Sequence, residues 1–159
     1  MNIMHVIGID PGLGGAVAFL PECRIVDTPV AMIGTKRSYL PLEMARVLSM
    51  YKGEKTLAVL EKQQAMPKQG VSSTFSIGQG FGIWLGILGA FEIPYLVVRP
   101  QEWKQEMLKG MSKEKGAAIK RAQELFPGLG HMLMRVKDHD RAEALLMAQY
   151  GLQKQGLVK

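Results

Sequence analysis

The segment Thr56-Leu-Ala-Val-Leu-Glu61 constrains the fold more than any other stretch of the chain. Its interior is apolar at every position, with no polar residue at alternate sites. A strand with one wet face alternates, whereas a strand covered on both faces does not need to. Such strands sit in sheets flanked by helices, so this segment points to an α/β domain. The neighbouring segments agree. His5–Asp10 is an apolar run that ends in Asp-Pro-Gly, Gly15–Leu20 is a second strand and Arg24–Asp27 a third. The short Pro-Gly-Leu-Gly-Gly link makes the first two an antiparallel hairpin. Apolar residues at helical spacing predict a helix over Pro41–Tyr51. Lys62–Ser73 reads as a polar loop, Thr74–Phe91 as a helix, and Tyr95–Val98 as a strand following Pro94. Helices are predicted over Pro100–Leu108, over Ser112–Phe126 with Ser112 as N-cap, and over Asp138–Tyr150, amphipathic through Ala142, Leu145 and Leu146. The expected architecture is a mixed five-stranded sheet, antiparallel at the first hairpin and parallel afterwards, with helices on both faces.

Length and composition narrow the class. The 159 residues suit one domain, expected to span 1–159, and 47% hydrophobic content supplies a core without disulfides. The lone Cys23 excludes an internal disulfide framework and a cysteine-based zinc finger. The first nine residues lack the basic n-region of a signal peptide, which leads to the expectation of a cytoplasmic protein. The most apolar stretch, Phe81–Val98, contains Glu92 and Pro94 and several glycines. It reads as a buried helix and a strand, since a membrane span needs roughly 20 uninterrupted apolar residues.

Charge points to a partner. There are 20 Lys and Arg against 14 Asp and Glu, a net charge of +6. Residues 104–121 alone carry six basic side chains against Glu106 and Glu114. A basic excess of this kind favours polyanions such as nucleic acid.

Four acids stand apart from that trend. Asp10 ends the first strand, Glu61 ends the central strand, and Asp140 and Glu143 open the last helix at i,i+3, on one face. Strand C-termini and helix starts are where α/β domains collect their sites. Each acid alone has an ordinary reading as a turn residue, a solvated strand end or a helix-dipole partner. Without these four, the count is 20 basic to 10 acidic, which describes an acidic pocket in a basic surround. Carboxylate oxygens suit hard divalent cations, and a pair of them about 3.5–4 Å apart can activate water and stabilise a leaving oxygen in phosphodiester hydrolysis.

These residues fall into a recognisable series. Ile7-Gly-Ile-Asp-Pro-Gly-Leu13, Leu60-Glu61-Lys62, Ile77-Gly-Gln-Gly-Phe-Gly82 and Asp138-His-Asp-Arg-Ala-Glu-Ala-Leu145 resemble the RuvC family of Holliday junction resolvases. The Met66-Pro-Lys-Gln-Gly70 loop, Arg99-Pro-x-x-Trp-Lys104 and Arg141-Ala-Glu-Ala144 are most similar to its phage and plastid branches. The resemblance implies an RNase H-like fold, a homodimer, two Mg²⁺ or Mn²⁺ ions per active site, and paired nicks in four-way DNA junctions. It implies Asp10 and Glu61 as metal ligands, and Glu143 where many relatives carry Asp. The partner of Glu143 is Asp140 at i−3 or His139 at i−4, with Asp140 the leading choice. Asp138 is a weaker one, read mainly as an N-cap. Lys62, Lys68 and Gln69 on the loop after Glu61, together with Lys104, Lys113 and Lys115, are the expected DNA contacts. The position three beyond the central Glu is aromatic in cellular members and is Gln64 here. Aromatic wedging is therefore not available there, which leaves Gln64 or Met66 to take over that role. A broader branched-DNA nuclease of the same fold and a catalytically silent junction-binding module are the alternatives.

Three further features complete the reading. Gly78, Gly82 and Gly86 share one helix face, suited either to packing on the sheet or, by the resemblance, to a dimer interface. Trp103 reads as a core ring. The 11 methionines, scattered along helices, read as core filling.

Overall fold

The structure is a computed structural model that describes residue 3, residues 5–114 and residues 116–155. Its centre is a five-stranded mixed sheet in the order β3-β2-β1-β6-β7. The strands are β1 (His5–Asp10), β2 (Ala16–Leu20), β3 (Arg24–Asp27), β6 (Thr56–Glu61) and β7 (Tyr95–Val98). The β1–β2 and β2–β3 pairs are antiparallel, while β1–β6 and β6–β7 are parallel. Helices α1 (Pro41–Ser49) and α2 (Val71–Ala90) cover one face. Helices α3 (Pro100–Met107), α4 (Ala117–Leu125) and α5 (His139–Lys154) cover the other. This is the RNase H-like α/β arrangement.

The continuous apolar strand behaves as its composition requires. In β6, Leu57 and Val59 join the α5-side core, and Ala58 and Leu60 join the α1/α2-side core. The same two-residue alternation sends Val6 of β1 to the first layer and Ile7 and Ile9 to the second. Helix α5 lies hard against the sheet because glycines stand where it crosses. A Cβ at Gly8 would fall 2.6 Å from the Ala148 amide nitrogen, and one at Gly151 would fall 2.7 Å from Val59 Cγ2.

Several expectations are corrected. Helix α5 is not amphipathic but buried all along Ala142–Ala148, because the sheet takes one side and α3 and α4 the other. Helix α4 begins at Ala117 rather than Ser112. Its N-cap is Gly116 with φ 102°, a left-handed conformation that glycine adopts freely, so Ser112 does not cap this helix. Helix α2 starts three residues early, at Val71, and buries only Gly80, Trp84 and Leu88, one row at i,i+4 spacing. The expected sheet-packing stripe is the wrong one. Cβ atoms at Gly78, Gly82 and Gly86 would meet nothing, whereas one at Gly80 would lie 2.6 Å from the Pro11 carbonyl oxygen. Much of the rest of α2 is open, with Val71 88% and Phe75 73% exposed, although Phe81, Ile83, Leu85 and Ile87 pack partly against the core; Tyr95–Val97 of β7 are exposed too. The stretch read as a buried helix and strand is therefore half uncovered in the single chain. Among the described residues α2 is the one helix long and apolar enough to cross a membrane, by length and composition only. The methionines divide: Met44, Met107 and Met147 are buried, but Met32, Met50, Met66 and Met134 are exposed. A small hairpin, β4 (Val30–Ile33) with β5 (Lys36–Tyr39), was not foreseen, nor were the 3₁₀ turns over Pro127–Met132 and Val136–Asp138.

Candidate active site

Strand periodicity places the first two acids. Asp10 lies two residues beyond Gly8, and Glu61 two beyond Val59, so both point to the α5 side of the sheet. The register pairs Ile9 with Leu60, which makes Asp10 and Glu61 the next neighbours across parallel strands that run about 4.8 Å apart. The close approach of α5 at Gly8 is to Ala144 and Ala148. One turn before Ala144, the same helix face carries Asp140 to the end of β1. Asp10, Glu61 and Glu143 are all buried.

At the start of α5 the ligand atoms of His139, Asp140 and Glu143 lie within 4.8 Å of one another. His139 Nδ1 is 3.5 Å from Asp140 Oδ1, and its Nε2 is 3.5 Å from Glu143 Oε1. This trio is a candidate metal-binding cluster, and Asp10 and Glu61 face it from the sheet. Burial pushes the Asp10 carboxyl well above its usual range, and the carboxylates of Asp140, Glu61 and Glu143 push it further; the Gly12 amide opposes them. Burial also raises Glu61. The Asp140 carboxylate beside it raises His139, and Glu143 adds to it. Like charges crowded at a partly buried site leave a deficit of positive charge, which a cation would fill.

Lys104 partly fills that deficit. Its Nζ stands 2.6 Å from Glu143 Oε1 and 5.2 Å from the centre of the Trp103 ring. Burial pulls the Lys104 ammonium down, but Glu143, Glu61 and Asp10 outweigh it and hold it charged. Even so, Glu143 Oε1 is a buried oxygen with no hydrogen bond of good geometry. Three carboxylates and an imidazole around an under-satisfied oxygen are a donor set that fits Mg²⁺ or Mn²⁺, the imidazole favouring the latter. Trp103, fully buried, donates its indole N–H to Glu61 Oε2 at 2.8 Å, and Gln63 Nε2 donates to Glu61 Oε1 at 3.2 Å. The ring is thus core, as read, and also a buried support for Glu61. Its partner is 42 residues away in sequence, and no local pattern marks the pairing.

The other expected residues are spread around this centre. Lys104 is brought into it. Lys113 is exposed and shares with Lys104, His139 and Glu143 a cleft of about 630 Å³. Lys62 and Gln64 border a second cleft, of about 700 Å³, on the far side of Glu61 with Arg99 and Gln101. Lys68 is exposed in a left-handed backbone conformation, φ 66°. Gln69 uses its side chain within the loop, accepting from the Met66 amide at 3.1 Å and donating to Ser73 at 3.4 Å. Lys115 lies outside the described residues. Asp138 occupies the N-cap position of α5, but its carboxylate makes no cap bond. It turns back to the Arg135 amide at 2.9 Å and the Arg135 guanidinium at 2.8 Å, a pairing that holds its carboxyl down at about 2.

Comparison with known proteins agrees with this fold. No protein-family profile matches the chain. Over 93 residues it is 30% identical to a Chlamydomonas reinhardtii protein, "Holliday junction resolvase MOC1, chloroplastic"; the match covers 58% of this chain. The chain spans about a tenth (10%) of that relative's length. Among solved structures, Thermus thermophilus RuvC in complex with a Holliday junction substrate superposes with a TM-score of 0.62 at 16% identity, over 96% of each chain. A second Thermus thermophilus RuvC structure gives 0.57 at 16%, over 96% of this chain and 97% of that one. The chain has the RNase H-like fold that RuvC has, with a candidate metal cluster at the mouth of its central strands.

Proposed function

We propose that this protein is a metal-dependent endonuclease acting on branched DNA, and that four-way junctions are its substrate. The observation that carries the reading is the meeting of Asp10 and Glu61, from neighbouring strand ends, with His139, Asp140 and Glu143 from one helical turn. Asp10, Glu61, Glu143 and one or both of Asp140 and His139 would hold the ions, two per site. Divalent ions bound there supply Lewis-acid activation of water and charge neutralisation at the 3′ leaving oxygen. The chain's own residues do the rest. Trp103 fixes the Glu61 carboxylate through its N–H. Lys104, held charged in the pocket, offers its ammonium to a phosphate arriving over Glu143. Lys62 and Lys113, which border the clefts beside the acids, supply salt-sensitive affinity, and Lys68 and Lys115 add to the basic charge.

A homodimer completes the reading. The uncovered side of α2, with its open glycines, and the exposed apolar edge strand β7 make a surface of the kind that marks protein contacts. A second copy placed there by a two-fold axis gives two equivalent active sites for two equivalent strands.

The test is a nicking assay on a synthetic four-way junction, mapped to the nucleotide. The expected result is paired symmetric cuts that need Mg²⁺ or Mn²⁺, with Asp10→Asn inactive but still binding. Equal cutting of forks, flaps and junctions would move the reading to a broader branched-DNA nuclease. Wild-type cutting rates in Asp10→Asn would refute the site.

A further inference from the structure

The carboxylate cluster has a basic wall on each side, and only one of them contains the lysines considered so far. On the side away from Lys104 and Lys113, a cleft of about 270 Å³ opens between the Leu13–Gly15 turn, the β4–β5 hairpin and the turn before α5. Four cationic side chains line it (Arg37, Arg135, Lys137 and Arg141) against two acids, Asp27 and Asp138. Both acids are already engaged. Arg141 grips Asp27 through two 2.7 Å bonds and reaches Asp138 at 3.3 Å, and Arg135 takes the remainder of Asp138. Arg37 gives one N–H to the Leu13 carbonyl at 2.6 Å, which fixes its guanidinium against the turn and leaves its other donors free. Lys137 is exposed and takes part in none of the ion pairs among the described residues. The cleft therefore presents uncompensated positive charge, anchored at Arg37 and exposed at Lys137. It is also next to the acids: a Cβ on Gly14, in its wall, would lie 3.3 Å from Asp140 Oδ2. Only the thin Asp10–Gly15 turn separates the two.

We propose that this cleft is a second phosphate-binding subsite. In it Arg37 and Lys137, backed by the Arg135–Asp138–Arg141–Asp27 frame, hold a backbone phosphate flanking the one that crosses the carboxylates. The inference rests on the nuclease reading and adds a binding site to it. A polynucleotide strand drawn across the acids would be gripped on both sides, by Lys104 and Lys113 on one and by this cleft on the other. At about 30 Å³ per water, the cleft holds some nine waters' worth of space, enough for a phosphodiester group with part of its hydration. The basic residues come from two segments about a hundred positions apart, and neither segment is part of the lysine-rich stretch 104–121.

The test uses the full chain carrying Asp10→Asn, so that DNA is bound and not cut, with and without Lys137→Gln or Arg37→Gln. The probes are four-way junctions in which single phosphates around the cut position are replaced by neutral methylphosphonates. One replacement is expected to weaken the Asp10→Asn protein and to weaken the Lys137→Gln form no further. Lys137→Gln itself should lower the slope of log affinity against log salt by about 0.7–0.9, which at 0.1 M salt is a loss of roughly five- to eightfold. Because Lys137 has no ion pair to lose among the described residues, the melting temperature of the Lys137→Gln form checks that the fold is intact. An unchanged salt slope, or losses that simply multiply at every methylphosphonate position, overturns the subsite while leaving the nuclease reading in place. Failure of the Asp10→Asn protein to bind the junction at all, together with failure of the wild type to cut it, overturns both.

Discussion

Replacing Trp103 by Phe tests whether the site is supported from below by a single hydrogen bond. The indole N–H donates to Glu61 Oε2 at 2.8 Å inside the core, and Glu61 is buried. A hydrogen bond to a charged group contributes about 1.5–3 kcal/mol, against about 0.5–1.5 for a neutral pair. Trp103→Phe should therefore cost about 2–3 kcal/mol with Glu61 present. In the Glu61→Gln background it should cost about 1–2 kcal/mol less, which is the coupling energy of the cycle. The cycle also cancels the cost of the smaller ring, which is common to both backgrounds. In a chain this long, 1 kcal/mol moves the melting temperature by about 2–4 °C. Urea unfolding followed by far-UV circular dichroism, a probe common to all four proteins, gives the free energies. The pH dependence has a definite sign. Burial lifts the Glu61 carboxyl above its usual 4.5, so ionising it costs stability as pH rises through the lifted value, and the Trp103 bond reduces that cost. The Trp103→Phe deficit should thus be largest at neutral pH and shrink as pH falls toward 4. Equal costs in the Glu61 and Glu61→Gln backgrounds, or a deficit independent of pH, would refute the reasoning.

Mn²⁺ at 100 times its dissociation constant should stabilise the wild type by about 2.7 kcal/mol, a rise of roughly 5–10 °C, and the rise should be lost in Glu143→Gln; calorimetric melting curves read both. Gly8→Ala should destabilise by more than about 3 kcal/mol, because the new methyl would meet the Ala144 and Ala148 backbone of α5; circular dichroism melts check it. Asp138, held at about 2 by Arg135, adds stability above its ordinary 3.8 that is lost as pH falls toward 2. The melting-temperature gap between wild type and Asp138→Asn should therefore close between pH 4 and pH 2.

Local chemistry in the sequence was enough for the sheet. The unbroken apolar run of Thr56–Glu61 requires cover on both faces, the Pro-Gly-Leu-Gly-Gly link closes a hairpin, and Asp10 and Glu61 each end a strand. Those inferences need only the nearest few residues. What local pattern misjudged depends on neighbours distant in sequence. Helix α5 loses its polar face because α3 and α4 close over it. Helix α2 packs through Gly80 rather than the Gly78, Gly82 and Gly86 stripe, since only Gly80 meets Pro11 and Tyr39. Helix α4 starts at a left-handed Gly116 that outranks the better capping residue Ser112.

The sequence by itself thus determined the sheet, its five strands and the candidate acids, because strand periodicity and turn chemistry are written in adjacent residues. Only the tertiary structure decided that His139 joins Asp140 and Glu143, that Trp103 supports Glu61, and that Arg37 and Lys137 line one cleft. Those arrangements depend on how closely a helix can lie on a strand, and here a missing side chain at Gly8 sets that distance for residues more than a hundred positions away.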